Sequence, residues 1–134
     1  MGTQIYCKTL SRCDVKVDKQ PDSVIVSFLE EEILCAVCKN VITSKRFRQE
    51  VQGKHCHCFF NPHGLIFEIG CFSQAPGVFC LPEKSAEFSW FPPYAWQISS
   101  CSVCKTHLGW KFSHEQDFFF GLILNRLIFP SGGS

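Results

Sequence analysis

Two Cys-x-x-C pairs, Cys35-Ala36-Val37-Cys38 and Cys101-Ser102-Val103-Cys104, are the residues of this 134-residue chain best suited to chemistry. Each pair lets two thiolates converge on one ion from a tight turn. Two such turns complete a tetrahedral set with Zn–S distances of about 2.3 Å. Four thiolates leave no open coordination position, so one zinc ion held there is structural and its binding energy is folding energy. The pairs lie far apart in sequence, so the ion clips the first and last thirds of the domain together. Lys39 and Lys105 each follow a second cysteine and temper the negative charge. The competing reading is a pair of redox motifs or disulfides.

Six further cysteines remain: Cys7, Cys13, Cys56, Cys58, Cys71 and Cys80. An even remainder is compatible with disulfides in an oxidising compartment. It is equally compatible with reduced thiols packed as small hydrophobes, and spacing does not reveal connectivity. The stretch "KHCHCFF" brings histidine beside cysteine. As a strand it puts His55 and His57 on one face and Cys56 and Cys58 on the other, which splits the possible ligands. The expectation there is two surface histidines and two half-buried cysteines.

The three tryptophans form the second constellation. Trp90 and Trp96 flank the proline pair of "FSWFPPYAW", and Trp110 follows Cys104 closely. Pro92 and Pro93 fix φ and bias Phe91 away from helix, so this stretch is a loop of defined path. If the metal fixes Cys101 and Cys104, it fixes the strand carrying Trp110 and Phe112. Three indoles can then share one small volume, an aromatic cage for a flat or cationic ligand. The alternative is that all three are core residues.

These side chains need elements to hold them. The length fits one domain with a real core. The expected division is a leader over 1–24, a ligand domain over 25–130 and a tail over 131–134. Thirteen basic and twelve acidic residues give a formal charge of +1, which argues against the basic footprint of nucleic-acid binding. The basic run "SKRFRQE" reads as a solvated loop or hairpin tip. The longest apolar run, Phe118–Leu124, is far shorter than the ~18 residues of a spanning helix. Residues 24–34 are ambiguous: Val24, Val26 and Phe28 alternate like a strand, while Leu29–Leu34 fit a helical turn. From Cys35 onward, "LIFEIGCF", "GVFCL", "AWQISSC", "LGWKFS" and "FFFGLILNRLIF" read as short strands between turns. That pattern predicts a mostly β domain of antiparallel sheets. Most of the fourteen phenylalanines are expected in its core.

Several ordered motifs, "NPHG", "EFSWFPPYAW", "CSVCKTHLGWKF" and "FFGLILNRL", resemble the CULT family, the thalidomide-binding domains of the cereblon type. The likeness runs from about Ile33 to Leu127. It implies a β-tent-like fold, two antiparallel sheets at a steep angle pinned by zinc on Cys35, Cys38, Cys101 and Cys104. It implies a cage of Trp90, Trp96 and Trp110 closed by Phe112 and lined by Asn61 and Pro62, with His63 beside them. The implied ligand is a cyclic imide, a glutarimide or a cyclised C-terminal asparagine or glutamine. Backbone groups around Phe88, Ser89 and Trp90 would hold the imide. Phe88 stands where the thalidomide-binding type carries histidine, so a side-chain hydrogen bond is absent from that position. A short leader predicts no docking to a ubiquitin-ligase adaptor. The extra cysteines resemble stand-alone secreted members, which favours an extracellular location. No membrane partner is expected.

Two readings compete with a non-enzymatic binding module. Type B methionine sulfoxide reductases resemble this architecture and would use Cys71 or Cys80 as nucleophile, which requires an exposed, low-pKa thiolate. A zinc-ribbon nucleic-acid binder with stacking aromatics is the third class, disfavoured by the charge.

Overall fold

A computed structural model describes residues 31–130. Nine strands and two short 3-10 turns make up its regular structure, with no α-helix among the described residues. The strands are β1 (Glu32–Cys35), β2 (Val41–Ser44), β3 (Cys56–Phe60), β4 (Ile66–Phe72), β5 (Val78–Cys80), β6 (Ala95–Cys101), β7 (His107–His114), β8 (Asp117–Ile123) and β9 (Leu127–Ile128). They form two sheets in the orders β2-β1-β9 and β3-β4-β8-β7-β6-β5, antiparallel throughout.

Strand alternation gives the large sheet two apolar faces. One carries Phe59, Ile69, Cys71, Trp110, Phe112, Phe119 and Ile123, capped by Trp90 and Phe91 from the loop before β6. The other carries Phe72, Leu108, Phe120 and Leu122 and packs on Ile33, Ile42 and Leu127 of the small sheet. The mostly β, two-sheet expectation therefore holds. Strand β1 ends the ambiguity at Glu32–Cys35 in favour of a strand. The alternation of Val24, Val26 and Phe28, the 1–24 leader and the 131–134 tail lie outside the described residues.

The stretch "FFFGLILNRLIF" is not one strand. Strand β8 stops at Ile123, a 3-10 turn covers Leu124–Arg126, and β9 crosses to the small sheet. Arg126 holds this corner. Its guanidinium donates to the His107 carbonyl at 2.8 Å, and its own carbonyl accepts from the Ala36 N–H at 3.1 Å. The basic run forms the other 3-10 turn, Lys45–Phe47, with Ser44 accepting from the Arg46 N–H at its start.

Gly109 shows how tightly β7 and β8 approach. A Cβ there would lie 2.1 Å from the Gly121 carbonyl oxygen, a backbone atom that cannot swing aside. Gly109→Ala is expected to cost on the order of 3 kcal/mol, the upper range of overpacking. A denaturant titration checks this; an unchanged midpoint would contradict it.

Candidate functional site: a four-cysteine centre beneath an aromatic cluster

Each Cys-x-x-C pair is the turn of a β-hairpin. Cys35 ends β1 and Cys101 ends β6. The two turns repeat one hydrogen-bond pattern. Cys35 N–H donates to the Asn40 carbonyl and Lys39 N–H to the Cys35 carbonyl, at 2.8 and 2.9 Å; Cys101 and Lys105 do the same with Thr106 and Cys101 at the same distances. Lys39 and Lys105 both adopt left-handed backbone, φ +68° and +67°, which turns the chain back after the second cysteine. Val37 and Val103 N–H groups each lie 3.4 Å from the first sulfur of their turn.

Together the two hairpins bring four sulfurs within 4.8 Å of one another. The Cys35–Cys104 and Cys38–Cys101 separations are both 3.6 Å. Tetrahedral coordination at Zn–S of about 2.3 Å requires sulfurs about 3.8 Å apart, so the quartet fits a single ion. Four soft thiolates in a tetrahedron select zinc or iron. The Thr106 hydroxyl, 3.1 Å from the Cys104 sulfur, and then the Thr106 N–H hold the Cys104 thiol down at about 6. Burial works against the Cys101 thiolate, but the Cys104 and Val103 N–H groups outweigh it and lower that pKa too. The Lys105 ammonium donates to the Ser102 carbonyl at 2.8 Å and sits 4.7 Å over the Phe79 ring.

The second hairpin also carries the aromatic residues. In its ladder Trp96 lies opposite Phe112, and Ile98 opposite Trp110, so all four share the aromatic face. Trp90 and Trp110 are only 5% and 6% exposed. Their rings meet edge to face at 4.9 Å, and Trp90 also stacks on Phe59 at 4.5 Å. Phe112 lies beneath, stacked on Phe119 and edge-on to Phe91. Trp96 packs against this cluster, half-buried, with its ring N–H donating to the Glu87 carbonyl at 2.9 Å. The Trp90 ring nitrogen is buried without a hydrogen-bond partner.

Phe88 is 66% exposed and adopts left-handed backbone, φ +58°, a conformation costly for a bulky residue. Among the described residues, neither the Phe88 carbonyl nor the Trp90 backbone N–H is used in a hydrogen bond. Ser89 accepts from the Phe91 N–H at 3.2 Å. Asn61 organises the β3–β4 hairpin loop. Its side-chain oxygen accepts from the His63 and Leu65 N–H groups at 3.0 and 2.9 Å, leaving Pro62 and His63 exposed. Asn61 thus positions the loop instead of presenting that oxygen outward.

The two histidine expectations change here, and the open cysteine question narrows. His57 is a buried residue, 2% exposed. Its Nε2 lies 3.0 Å from the Val51 carbonyl and 3.1 Å from the Lys54 carbonyl. Both oxygens are acceptors, so Nε2 carries the proton. His55 does not share its face; it packs edge-on to Phe72 and crowds Gly70. Cys56 and Cys58 are disulfide-bonded. As for the enzyme reading, burial pushes the Cys71 thiol up to about 12, the opposite of what a nucleophile needs. Cys80 is half-buried, 3.3 Å from the Ser99 hydroxyl.

Burial also lowers the pKa values of His55 and His57. Unfolding restores them towards about 6.5, so below that pH the unfolded chain binds more protons. Their contribution to stability is full above the unfolded value and is lost as pH falls through the folded values. The metal-loaded domain should lose stability on acidification from neutral pH. His57→Gln should flatten that dependence in thermal melts across the range; identical slopes would contradict the assignment.

No family model matches the chain. Curated relatives do. The protein named cereblon of Danio rerio is 37% identical over 104 residues, covering 72% of this chain and 24% of its own length. The protein of that name in Gallus gallus is 44% identical over 75 residues, covering 52% of this chain and 17% of its own. In Drosophila pseudoobscura pseudoobscura the figures are 36% over 115 residues, 74% and 18%. The chain thus spans about a quarter or less of the length of these relatives.

Proposed function

Because this chain carries a cereblon-like domain of the CULT family, we propose that it is a binding module for a cyclic imide, with zinc at the four-cysteine centre. The ligand class is a glutarimide or the imide of a cyclised C-terminal asparagine or glutamine. Zinc supplies no reaction here; it locks the two hairpins so that the aromatic residues keep their positions.

One observation supports this reading. The Trp90 ring N–H is buried without a partner, and the same loop offers the Trp90 backbone N–H and the Phe88 carbonyl, neither of them used in a hydrogen bond among the described residues. A buried unpaired donor costs about 1–3 kcal/mol, and a bound acceptor recovers it. An imide presents two carbonyl acceptors flanking one N–H donor. Its N–H can donate to the Phe88 carbonyl, while its carbonyls accept from Trp90. The flat ring then lies against Trp96, Trp110 and Phe112, in the manner of small apolar sites with a few directed polar groups. Phe88 supports the site through its backbone, so its own side chain, pointing into solvent, need not contribute.

Nitrogen-15 NMR of zinc-loaded protein tests this. Glutarimide should shift the Trp90 indole and backbone N–H resonances, and N-methylglutarimide should not, because it lacks the donor and adds bulk. Equal responses to both compounds would sink the proposed orientation.

A further inference from the structure

The two cysteine hairpins match in backbone but differ in one pair of side chains. Asn40 and Thr106 each stand two residues after the second cysteine of their hairpin. Their carbonyls accept the Cys35 and Cys101 N–H groups in the same way, both at 2.8 Å. Both residues are half-buried. Their side chains then diverge. The Thr106 hydroxyl lies 3.1 Å from the Cys104 sulfur of its own hairpin. The Asn40 amide crosses to the other hairpin. Its nitrogen lies 3.8 Å from the Cys101 sulfur, 3.5 Å from the Ser102 hydroxyl and 3.5 Å from the Gly77 carbonyl. A carbonyl only accepts, so the nitrogen and not the oxygen of the amide faces this cluster.

Gly77 joins three segments at that point. Its N–H donates to the Ile42 carbonyl and its carbonyl accepts from the Ser102 N–H, both at 2.9 Å. A Cβ there would lie 2.1 Å from the Val41 carbonyl oxygen, so only glycine lets the backbones pass. The acceptors that meet the Asn40 amide are therefore held by backbone contacts. The first hairpin, the start of β5 and the second hairpin are tied together beside the metal quartet.

A divalent ion on four thiolates leaves the centre with excess negative charge. A metal-bound thiolate has no proton to give, so at Thr106 the hydroxyl is the donor. Hydrogen bonds to an ionised acceptor are the stronger kind. Partners behind the ligands orient them and tune the metal they hold. We propose that Asn40 and Thr106 are positioning residues of the metal centre, Asn40 tying the two hairpins across Cys101 and Thr106 holding Cys104, so that loss of either donor loosens the ion. This rests on the reading of the quartet as a metal centre and is independent of the ligand on the aromatic side.

Cobalt(II) loaded into the full chain is the probe, because its thiolate charge-transfer absorption reports on the sulfurs themselves. Removing a donor raises the energy of the sulfur electrons. Asn40→Leu and Thr106→Val, both near in size to the native residues, should each move that band to longer wavelength. Each should also weaken retention of the ion against a competing chelator by about 10–100-fold. Thr106→Ser keeps the hydroxyl and should stay close to native in both measurements. Metal binding is coupled to folding, so a substitution that only destabilised the domain would weaken retention without moving the band. Circular dichroism verifies that each cobalt-loaded variant is folded. An unmoved band in either folded variant, or a Thr106→Ser protein that behaves like Thr106→Val, would overturn the proposal. A native chain that takes up no cobalt would overturn the metal centre itself, and this inference with it.

Discussion

Removing the metal with a strong chelator is expected to unfold the domain, not merely loosen it. The small sheet has strands of four, four and two residues, too little to stand alone. It is joined to the large sheet through one apolar cluster and through the cysteine quartet. Structural zinc contributes apparent free energies of about 10–16 kcal/mol, as large as the ~5–15 kcal/mol total stability of an ordinary domain. Cys35 and Cys101 are fully buried, so stripping the ion also leaves thiolates in apolar surroundings. Circular dichroism and tryptophan fluorescence should both lose their native signals on chelation and recover with zinc. Cys101→Ser should show the unfolded signal at the outset. Retention of native signals after verified metal removal would refute the structural role.

Truncating Trp110 should be the most damaging change on the aromatic side. Its ring touches Trp90, Phe67 and His107 at centroid distances of 4.9, 5.5 and 4.9 Å. Replacing a buried aromatic of this size by alanine costs about 3–5 kcal/mol. Trp110→Ala should therefore lower the denaturation midpoint sharply and abolish imide binding together. Trp96→Ala separates the two effects. Trp96 is half-buried, and its ring N–H makes one bond to the Glu87 carbonyl. That variant should keep most of its stability and lose up to about tenfold in affinity, since aromatic packing of this kind contributes about 0.5–1.5 kcal/mol and about 1.4 kcal/mol is a factor of ten. A Trp96→Ala protein with unchanged affinity would remove this indole from the site.

The metal quartet was readable because its ligands are fixed by short spacing, and short spacing survives folding. The strands were readable because alternation and turn residues bound them. The corner at Leu124–Arg126 was not, since an almost unbroken apolar run carries no mark of where a chain leaves one sheet for another. Arg126 was its one signal, a cation whose guanidinium reaches the His107 carbonyl while its own carbonyl takes the Ala36 N–H. His57 was misplaced for a related reason: polarity argues for surface, but the Val51 and Lys54 carbonyls satisfy its ring inside. The sequence expected the tryptophans in one small volume; the structure has Trp90 and Trp110 in ring contact within one aromatic cluster and Trp96 packed against that cluster. The bonding of Cys56 and Cys58 depends on distance and face, which counting cannot supply.

The central claim, an imide held against indoles on a metal-locked hairpin, is tested most directly by titrating glutarimide into zinc-loaded protein while following tryptophan fluorescence. Saturable quenching or a spectral shift by millimolar ligand, weakened in Trp96→Ala, is the predicted result. A flat titration at millimolar glutarimide, with the protein shown to be folded and metal-loaded, would contradict it.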